Sequence, residues 1–596
     1  MHRIAHIAIK NFRLCRDVSL PLEGFTPLVG QNNTGKSSIL AALSWVLKPS
    51  ALAATDFSDS RKPVEICAKI DGITGDILDL LPEQKHRKAI EPFCANGYLW
   101  IRVTATGAGT KAIKQEVYDF EKYSGTVLPT EWREYPTGLP QAVTALLPEA
   151  LPIEAMDDIG EDLGKIKAGT TIKALLDEVM EPIIKAHSDL NSALETVRKI
   201  LTTNGENRSV HLAEFDSNST KALENFFPDL SIDLDLQVIE AKEFFKAGDL
   251  NVTDKTTGDR RRFDQMGTGA QRAIQMALIR YLADVRAGSQ KSFARRLLLI
   301  DEPELYLHPK GVRRLRQALE ELSRSGYQIV FSTHSPLMLN RENAADTVIV
   351  GKSAERGTIT KKPLRIAVSA ALSDAESQSR TIFELGNISE IYFADRVVLC
   401  EGKTDRRLLP FAYERFYGRS PELDNVTFVS VGSCSDIPKA LSVLKAMEIS
   451  ACAVADLDFA FVEARKGSSP TLPKEGKDLN DAKQVLSRLA AVHAFPIGGN
   501  GLPTRDRNGW EAADAWAIFA KDLDGMKLAQ KVHEDLKSHA IWVWREGCIE
   551  QVTGHEDKGE SAILEQEKKL AGMASEDIGT QMPSFVKCFD WLRTLQ

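Results

Sequence analysis

A short apolar segment that runs directly into a glycine-rich turn constrains this chain more than any other feature of its sequence. The segment TPLV, residues 26–29, is followed by GQNNTGKS, residues 30–37, and then by SILAALSWVL, whose apolar residues recur at helical spacing. A strand, a turn of the form G-x-x-x-x-G-K-[ST] and a helix, in this order, make a phosphate-binding loop. The backbone N–H groups of such a turn and the N-terminus of the helix face the bound anion.

The turn also contains the side chains that a bound nucleotide needs. Lys36 supplies a positive charge to the β- and γ-phosphates, and the Ser37 hydroxyl is a Mg²⁺ ligand. The alternative, a structural glycine turn without a ligand, is disfavoured by the strand and helix patterns on either side. The sequence therefore predicts an ATP site, with further nucleotide contacts from Asn32, Asn33, Thr34, Gly35 and Ser38.

A second motif places carboxylates at the end of a buried strand. The run RLLLI, residues 296–300, leads into Asp301 and Glu302, and ligands bind at the carboxyl ends of strands in open α/β sheets. Asp301 is predicted to hold the water shell of Mg²⁺, and Glu302 to polarise the attacking water. A further strand pattern, YQIVFSTHSP, presents His334 for contact with the γ-phosphate. Taken alone, such a histidine is more often packed in a core.

A glycine-rich segment between these motifs offers a second helix N-terminus for phosphate. It reads MGTGAQR, residues 266–272, and leads into the helical pattern RAIQMALIRYLADV. Three arginines, Arg260, Arg261 and Arg262, precede it. They can contact the phosphates of DNA, and contact with nucleotide phosphate or with solvent stays open as an alternative.

Another cluster of acids follows in the last third of the chain. The strand pattern RVVLC, residues 396–400, ends at Glu401, with Asp405 four residues on, and the strand pattern SACAVA ends at Asp456 and Asp458. Strands alternating with helices favour a parallel sheet, which brings these acids to one edge, and alternate residues at a strand end point the same way. Four acids repel one another unless divalent cations neutralise them, as in two-metal phosphodiester hydrolysis. The alternative is unrelated loop acids on a flavodoxin-like sheet.

Composition narrows the class of protein. The residues are 43% hydrophobic and 27% charged, as in soluble globular proteins, and no apolar run reaches the roughly 18 residues of a membrane span. The start, MHRIAHIAIKNFR, lacks the features of a secretory signal. Eight cysteines without a C-x-x-C pair indicate free thiols in a reducing cytoplasm. A net charge of −8 still permits a local basic channel for nucleic acid.

The motifs of the first part resemble the ATP-binding-cassette (ABC) ATPases of chromosome maintenance and recombination repair, the SMC/RecF-like type. IKNFR, GQNNTGKSS, LLLIDEPELYLHP and STHSP carry the resemblance. It implies a head-to-head dimer in which the glycine-rich signature of one subunit caps the ATP of the other. MGTGAQR departs from the transporter signature LSGGQ and is closer to the relaxed versions of the repair-type proteins. The long interval between Lys36 and Asp301 accommodates a helical insertion with a dimerisation role.

The second acid cluster resembles the Toprim domain of topoisomerases, primases and certain nucleases. VVLCEGKTD matches its glutamate motif and DLD its Asp-x-Asp motif. An ABC ATPase followed by a Toprim domain is similar to the OLD (overcoming lysogenization defect) family, which includes the nuclease subunit of Gabija-type phage defence. The expected fold is α/β throughout. The domains expected are an N-terminal ATPase part (1–150), a helical insertion (151–230), a C-terminal ATPase part (231–370), a linker (371–394) and a Toprim nuclease domain with a C-terminal elaboration (395–596).

This resemblance implies an ATP-regulated, metal-dependent DNA endonuclease that works as a homodimer or higher assembly and uses ATP with Mg²⁺ or Mn²⁺. Glu401, Asp405, Asp456 and Asp458 are then its catalytic metal ligands. Glu511 is a further candidate ligand, and Arg545 and Glu550 are candidates for the groups near the scissile phosphate. Arg545 stands where the family commonly has lysine, and arginine clamps a phosphate better than it shuttles a proton.

Two other functions compete with this prediction. One is a non-nucleolytic SMC/RecF-like DNA-binding repair ATPase whose acids bind metal only for structure. The other is a strand-passing topoisomerase, which requires a tyrosine nucleophile on a separate DNA-binding domain and finds little chain left to house it. The resemblance also leaves room for a helicase partner and for a role in phage defence.

Overall fold

The computed structural model describes two compact units, each assembled from separate stretches of the chain. The first unit comprises residues 1–28, 35–338 and 355–357, and the second comprises residues 29–34, 339–354 and 358–596. The structure describes residues 2–595 apart from 80, 82, 95, 110–112, 119–130, 154–187, 203–205, 225–229, 232, 235–250, 288–295, 372–387, 467–469, 506–509 and 555–558.

Strands and helices both occur along the whole described chain. The strands are β1 Arg3–Phe12, β2 Cys15–Pro21, β3 Phe25–Val29, β4 Val64–Asp71, β5 Tyr98–Ala105, β6 Ile113–Tyr118, β7 Trp132–Glu134, β8 Glu149–Ile153, β9 Asn251–Thr253, β10 Arg260–Arg262, β11 Arg296–Ile300, β12 Gln328–Thr333, β13 Val348–Ser353, β14 Gly357–Thr360, β15 Arg396–Cys400, β16 Val426–Ser430, β17 Ser450–Ala455 and β18 Ile541–Val543. The helices are α1 Lys36–Leu47, α2 Gly75–Leu78, α3 Gln84–Ile90, α4 Leu139–Leu146, α5 Ser188–Leu201, α6 Val210–Glu224, α7 Thr268–Ala287, α8 Pro309–Arg324, α9 Leu364–Ala371, α10 Ile388–Phe393, α11 Lys403–Tyr417, α12 Ile437–Ala446, α13 Leu457–Phe461, α14 Lys477–His493, α15 Ala512–Lys521, α16 Leu523–Lys537, α17 Ile549–Thr553, α18 Glu560–Gly572, α19 Ser575–Gln581 and α20 Pro583–Thr594.

The first unit contains two runs of neighbouring strands. One run has the order β7-β6-β5-β4-β1-β2 and is antiparallel. Along β4 the side chains alternate between buried and half-buried, as a strand with one face on a core requires. The other run has the order β3-β12-β11-β8, and β11 pairs in parallel with both β12 and β8. Residues 297–300 of β11 are all buried, which explains their uninterrupted apolar sequence.

Helix α8 shows how local sequence sets these elements. Its first residue is Pro309, whose fixed φ suits the first helical turn, and the His308 side chain accepts a hydrogen bond from the Lys310 N–H at 3.3 Å. Its buried positions recur three and four residues apart, which places them on one face of the helix. That face packs into the core around β11 and β12 through Val312, Leu315, Leu319 and Leu322.

The second unit is built on a four-stranded parallel sheet of order β16-β15-β17-β18. The predicted parallel pairing is thereby confirmed. Apolar side chains cover both faces of the sheet, as buried parallel sheets require. One of these cores also contains side chains from earlier in the chain, namely Val29, Leu339, Ile349, Leu364 and Val368. Helix α9 packs against α12.

Parts of two predicted segments lie outside the described residues. Of the predicted helical insertion, 151–230, the structure describes α5 and α6 but not 154–187, 203–205 or 225–229. Of the predicted linker, 371–394, residues 372–387 lie outside the description. Among the helices that the structure describes, none is long and apolar enough to cross a membrane.

A buried glutamine ties the edge of β1 to β12. Gln328 has no exposed surface. Its Nε2 donates to the carbonyl of Ile4 at 2.6 Å and to that of Glu23 at 3.1 Å, and its Oε1 accepts from the Ile4 N–H at 2.9 Å. The register of β1 against β4 shifts just after Ile4, so the glutamine supplies backbone partners at an irregular point.

We therefore expect Gln328→Leu to lower the free energy of unfolding of the first unit by about 1–3 kcal/mol, because buried backbone groups of Ile4 lose their partners. Denaturant unfolding followed by tryptophan fluorescence measures this. The matched control is Gln141→Leu on the exposed side of α4, which should change the free energy of unfolding by less than about 0.5 kcal/mol. Equal midpoints for the two variants would contradict the assignment.

Candidate functional site

The glycine-rich turn has the backbone that a phosphate loop needs. Gly35 has a φ of 103° and Asn33 a φ of 60°, in the left-handed region where glycine and asparagine are tolerated best. A Cβ at Gly30 would come within 2.0 Å of the carbonyl oxygen of Val350. Only glycine fits at that position. The requirement for glycine at both ends of the turn is therefore steric.

Lys36 begins helix α1 and is buried, with 5% of its surface exposed. Burial lowers the pKa of Lys36, while the negative charges of Glu302, Asp301 and Glu304 act in the opposite direction. A buried ammonium near three carboxylates suits a ligand that carries both phosphate and a cation. The two motifs that the sequence places about 265 residues apart are thus neighbours in the first unit.

The turn after β11 is strained and held from two sides. Glu302 has a φ of 44°, which costs energy for a residue other than glycine. Its N–H donates to the Ser332 hydroxyl at 2.9 Å, and that hydroxyl donates to Asp301 Oδ1. Arg272 Nη2 donates to the carbonyls of Asp301 at 2.9 Å and Glu302 at 2.7 Å. These bonds fix the backbone of both residues and the carboxylate of Asp301 at the strand end.

His334 lies beside Glu302 at the end of β12, while its predicted contact with the γ-phosphate stays a prediction. Its Nε2 is 3.1 Å from Glu302 Oε1. Burial and the nearby charge of Lys36 lower the pKa of His334, so the ring is neutral at pH 7 and its Nε2–H donates to the carboxylate. The backbone N–H of His334 donates to Glu304 Oε1 at 2.9 Å, and the Thr333 hydroxyl donates to the same oxygen at 2.6 Å.

The other loop residues predicted to contact nucleotide differ in exposure. Asn32, Asn33 and Ser37 are exposed, whereas Thr34 and Ser38 are buried. The exposed side chains are accessible to a ligand; Thr34 instead bonds the loop internally, because its hydroxyl donates to the Gln31 carbonyl at 2.9 Å.

Three residues of this site were not singled out from the sequence. Arg272, which has no exposed surface, holds the carbonyls of the strained turn, Ser332 holds its amide, and Glu304 holds the end of β12. All three lie within motifs that were recognised, MGTGAQR, LLLIDEPELYLHP and STHSP. The motifs therefore pointed to the right segments of the chain, but the partners of these three residues come from distant segments and cannot be read from the motifs.

In the second unit, the predicted acids follow the carboxyl ends of β15 and β17. These strands pair with Cys400 opposite Val454, so Glu401 and Asp456 leave the sheet side by side. Glu401 Oε2 accepts a hydrogen bond from the Asp456 N–H at 3.3 Å. The parallel sheet thus brings together the two halves of the predicted cluster.

Cys434 lies beside Glu401 in this region. Burial, followed by the charges of Glu401, Asp458 and Glu463, raises the pKa of Cys434 to about 12. The thiol also shares a hydrogen bond with Glu401.

The sequence predicted that Asp456 and Asp458 lie at the end of a strand. The structure differs, because the strand ends before both residues. Strand β17 ends at Ala455, Asp456 is the N-cap residue of α13, and Asp458 lies in the first turn of that helix. The two acids, two residues apart, therefore lie at the start of a helix and not on one face of a strand. Negative charge is favourable there because the helix N-terminus carries partial positive charge.

Asp405 is a buried acid of this region. It is 5% exposed and sits in the first turn of α11. Burial and then the charge of Glu550 raise the pKa of Asp405 to about 7, although the N–H groups of Gly402 and Asp405 act against this. Among the described residues, Asp405 Oδ1 has no hydrogen-bond partner. Glu550 itself is 4% exposed.

Glu511 and Arg545 have other partners in this structure. Glu511 is exposed, precedes α15 and forms an ion pair with Arg505 at 3.1 Å. Arg545 is half-buried and its Nη1 donates to Gln530 Oε1. Metal binding by Glu511 and the role of Arg545 near the scissile phosphate remain predictions.

The chemistry of the acid cluster suits a hard divalent cation. Carboxylate oxygens are the ligands that Mg²⁺ and Mn²⁺ prefer. Oδ1 of Asp405 is a buried carboxylate oxygen without a hydrogen-bond partner among the described residues. Within the described part of the chain, no three His, Cys, Asp or Glu side chains already surround one common cation position. Glu401, Asp456 and Asp458 fit such an ion by their donor type and by their shared position at the sheet edge.

Comparison with known proteins gives matches over nearly the whole chain. Residues 3–92 and 154–339 match the AAA ATPase domain, and residues 392–458 match the TOPRIM domain of overcoming lysogenization defect protein-like proteins. The Old nuclease of Escherichia phage P2 is 33% identical over 563 residues, which are 93% of each chain. The OLD nuclease of Thermus scotoductus is 24% identical over 82% of this chain and 88% of its own. Endonuclease GajA of Bacillus cereus is 23% identical over 68% of this chain and 67% of its own. The predicted fold class, an ABC-type ATPase domain followed by a Toprim domain, is confirmed.

The position of Glu302 beside His334 predicts that a mutation of Glu302 stops ATP hydrolysis and not nucleotide binding. We expect Glu302→Gln to lower ATP hydrolysis at least about 10²-fold, because an amide cannot accept a proton from water, while nucleotide still binds. Phosphate release and binding of a fluorescent ATP analogue measure the two quantities. Glu355→Gln, at an exposed position, is the control. Undiminished hydrolysis in Glu302→Gln would show that another group polarises the attacking water.

Proposed function

The chain belongs to the OLD nuclease family, and on that premise we propose that it is an ATP-regulated DNA endonuclease that uses divalent metal ions. It combines an ATPase domain with a Toprim nuclease domain in one chain. The observation that carries the proposal is the hydrogen bond between Glu401 and the N–H of Asp456, since it joins the two acidic motifs of the nuclease at one sheet edge.

The ATPase half of the proposal assigns a role to each residue around Lys36. Lys36 neutralises the β- and γ-phosphates, and Ser37 and Asp301 hold Mg²⁺. Glu302 orients and polarises the attacking water, and neutral His334 keeps that carboxylate in place while its ring lies near the γ-phosphate. The strained turn supports this assignment, because strain held by several bonds is typical of functional sites.

The nuclease half assigns metal binding to Glu401, Asp456 and Asp458, with Asp405 as a further ligand. A bound divalent cation supplies an activated water and stabilises the leaving oxygen of the phosphodiester. The cluster positions the scissile phosphate only after its own repulsion has been neutralised. Glu511 is proposed as an additional ligand. Arg545 is proposed to clamp the phosphate, with Glu550 nearby.

The proposal extends to partners and biology. DNA is the substrate, and the helical insertion at 151–230 provides the interface of a homodimer or a higher assembly. ATP with Mg²⁺ is the nucleotide cofactor, and Mn²⁺ can replace Mg²⁺ at the nuclease site. We place the protein in the cytoplasm, in phage defence, with a helicase as a further partner. The similarity to GajA supports the defence role.

Cleavage of supercoiled plasmid with Mg²⁺ or Mn²⁺, with and without ATP, tests the proposal directly. We expect Glu401→Ala to abolish cleavage and to leave ATP hydrolysis unchanged, because its carboxylate lies only in the nuclease cluster. Lys36→Ala should abolish ATP hydrolysis and remove the effect of ATP on cleavage. The control is Glu422→Gln, an exposed carboxylate of the same unit.

Intact DNA in every wild-type reaction, alongside normal ATP hydrolysis, would favour the non-nucleolytic DNA-binding ATPase. Adding a candidate helicase to the same reactions separates that outcome from a nuclease that requires its partner.

A hydrogen bond in the second unit connects the phosphate loop with the nuclease strand. The Gln31 Nε2 donates to Asp395 Oδ2 at 3.2 Å, and Asp395 immediately precedes β15, which ends next to Glu401. The side chain of Gln31 belongs to the loop that surrounds the phosphates. This contact is therefore a route by which bound nucleotide acts on the acid cluster.

We expect Asp395→Ala to change the ratio of cleavage rates with and without ATP by about 2- to 10-fold, the effect of one hydrogen bond of about 0.5–1.4 kcal/mol. ATP hydrolysis and cleavage without ATP should match the wild type. Glu422→Ala is the matched control. An unaltered ratio would exclude this contact from the control of cleavage.

A further inference from the structure

A two-stranded ribbon stands directly before the glycine-rich signature. Strands β9 and β10 pair with each other in antiparallel fashion, with Arg260 opposite Thr253 and Arg262 opposite Asn251, and form a sheet of two strands only. The connecting turn is closed by hydrogen bonds from the Asp254 N–H to the Asp259 carbonyl at 2.9 Å and from the Gly258 N–H to the Asp254 carbonyl at 2.8 Å. The arginines are thus presented on an ordered element.

This ribbon is locally basic in an acidic chain. Residues 251–262 contain four cationic and two anionic side chains, whereas the whole chain has a net charge of −8. Lys255, Arg260 and Arg261 are exposed. The ion pair of Arg261 with Asp259 is 3.4 Å long and exposed on both sides, so it holds the guanidinium weakly. Within the described part of the chain, Arg260 has no ion-pair partner.

The carboxylates of Asp254 and Asp259 only partly offset these cations, and the ribbon keeps a net charge of +2. The carboxylate of Asp254 accepts hydrogen bonds from the Thr256 N–H at 2.8 Å and from Thr257, which lowers its pKa. Asp254 therefore serves the turn. The exposed guanidinium groups remain accessible to an external anion, and exposed arginines favour phosphate because their planar donors match its oxygens.

The ribbon is joined to the ATPase site through the signature. The Arg262 N–H donates to Gln265 Oε1 at 3.2 Å, and Gln271 Nε2 donates to the carbonyl of Phe263 at 3.1 Å. The next residue, Arg272, holds the carbonyls of Asp301 and Glu302. A short series of hydrogen bonds within one unit thus runs from the basic ribbon to the strained turn of the ATPase.

We propose that the β9–β10 ribbon binds the phosphate backbone of DNA and that this binding accelerates ATP hydrolysis through Gln271 and Arg272. The inference rests on the proposed function in taking DNA as the substrate, but it concerns a contact site in the ATPase domain and not the cleavage site. Contacts to phosphate carry no sequence information, so binding through them does not depend on the DNA sequence.

The test uses the full chain carrying Arg260→Gln and Arg261→Gln together. Binding to a fluorescent 30-base-pair duplex is measured by anisotropy over a series of salt concentrations in EDTA, which prevents cleavage. Each phosphate contact contributes about 0.9 to the slope of log affinity against log salt, so the slope should fall by about 2. The control, Arg61→Gln with Arg133→Gln, removes two exposed arginines of the same unit and should leave the slope unchanged.

ATP hydrolysis with and without the duplex supplies the second measurement. We expect the DNA-dependent increase to be lost in the ribbon variant and the rate without DNA to match the wild type. Arg260→Lys with Arg261→Lys should restore most of the binding, because lysine keeps the charge. An unchanged salt slope would overturn the proposal, as would a higher KM for ATP with normal DNA binding, which would assign the arginines to nucleotide.

These two assays are independent of cleavage. If the chain failed to cut DNA but the ribbon variant lost salt-dependent binding, the nuclease proposal would fall and the ribbon would stand. If Glu401→Ala abolished cleavage while the ribbon variant bound DNA normally, the opposite would hold.

Discussion

Carboxylates gathered at the end of a parallel strand repel one another, and both candidate sites of this chain depend on how that repulsion is offset. Around β11 the compensation is built in. Lys36 and Arg272 are buried cations whose pKa values are lowered by burial and supported by the adjacent acids. The ATPase carboxylates thus have positive charges of the protein near them.

The acid cluster of the second unit is arranged differently. Burial and then the charge of Glu550 raise the pKa of Asp405 to about 7, because an ionised carboxylate is costly when it is buried beside another acid. Both sites are proposed to bind divalent cations. The first also has Lys36 and Arg272 of the protein beside its acids.

Much of the fold could be predicted because its elements bury whole apolar runs. Strands β11, β15 and β17 were evident from their aliphatic sequences, and the motifs that follow them fixed the positions of Asp301, Glu302, Glu401 and Asp456. The helix start at Asp456 could not be predicted, since an Asp-x-Asp pair fits both a strand end and a helix cap. The roles of Arg272 and Ser332 depend on contacts across about 30 residues of chain. The spacing of apolar residues in the sequence gives no information on such contacts.

The core of the second unit has a consequence for how such chains can be rearranged in evolution. Leu339, Ile349, Leu364 and Val368 fill one face of the nuclease sheet, although they precede β15 in sequence. Losing one large buried aliphatic side chain costs about 2–5 kcal/mol, against a total stability of about 5–15 kcal/mol for a domain. A recombination junction placed just before β15 would therefore transfer a nuclease with an incomplete core.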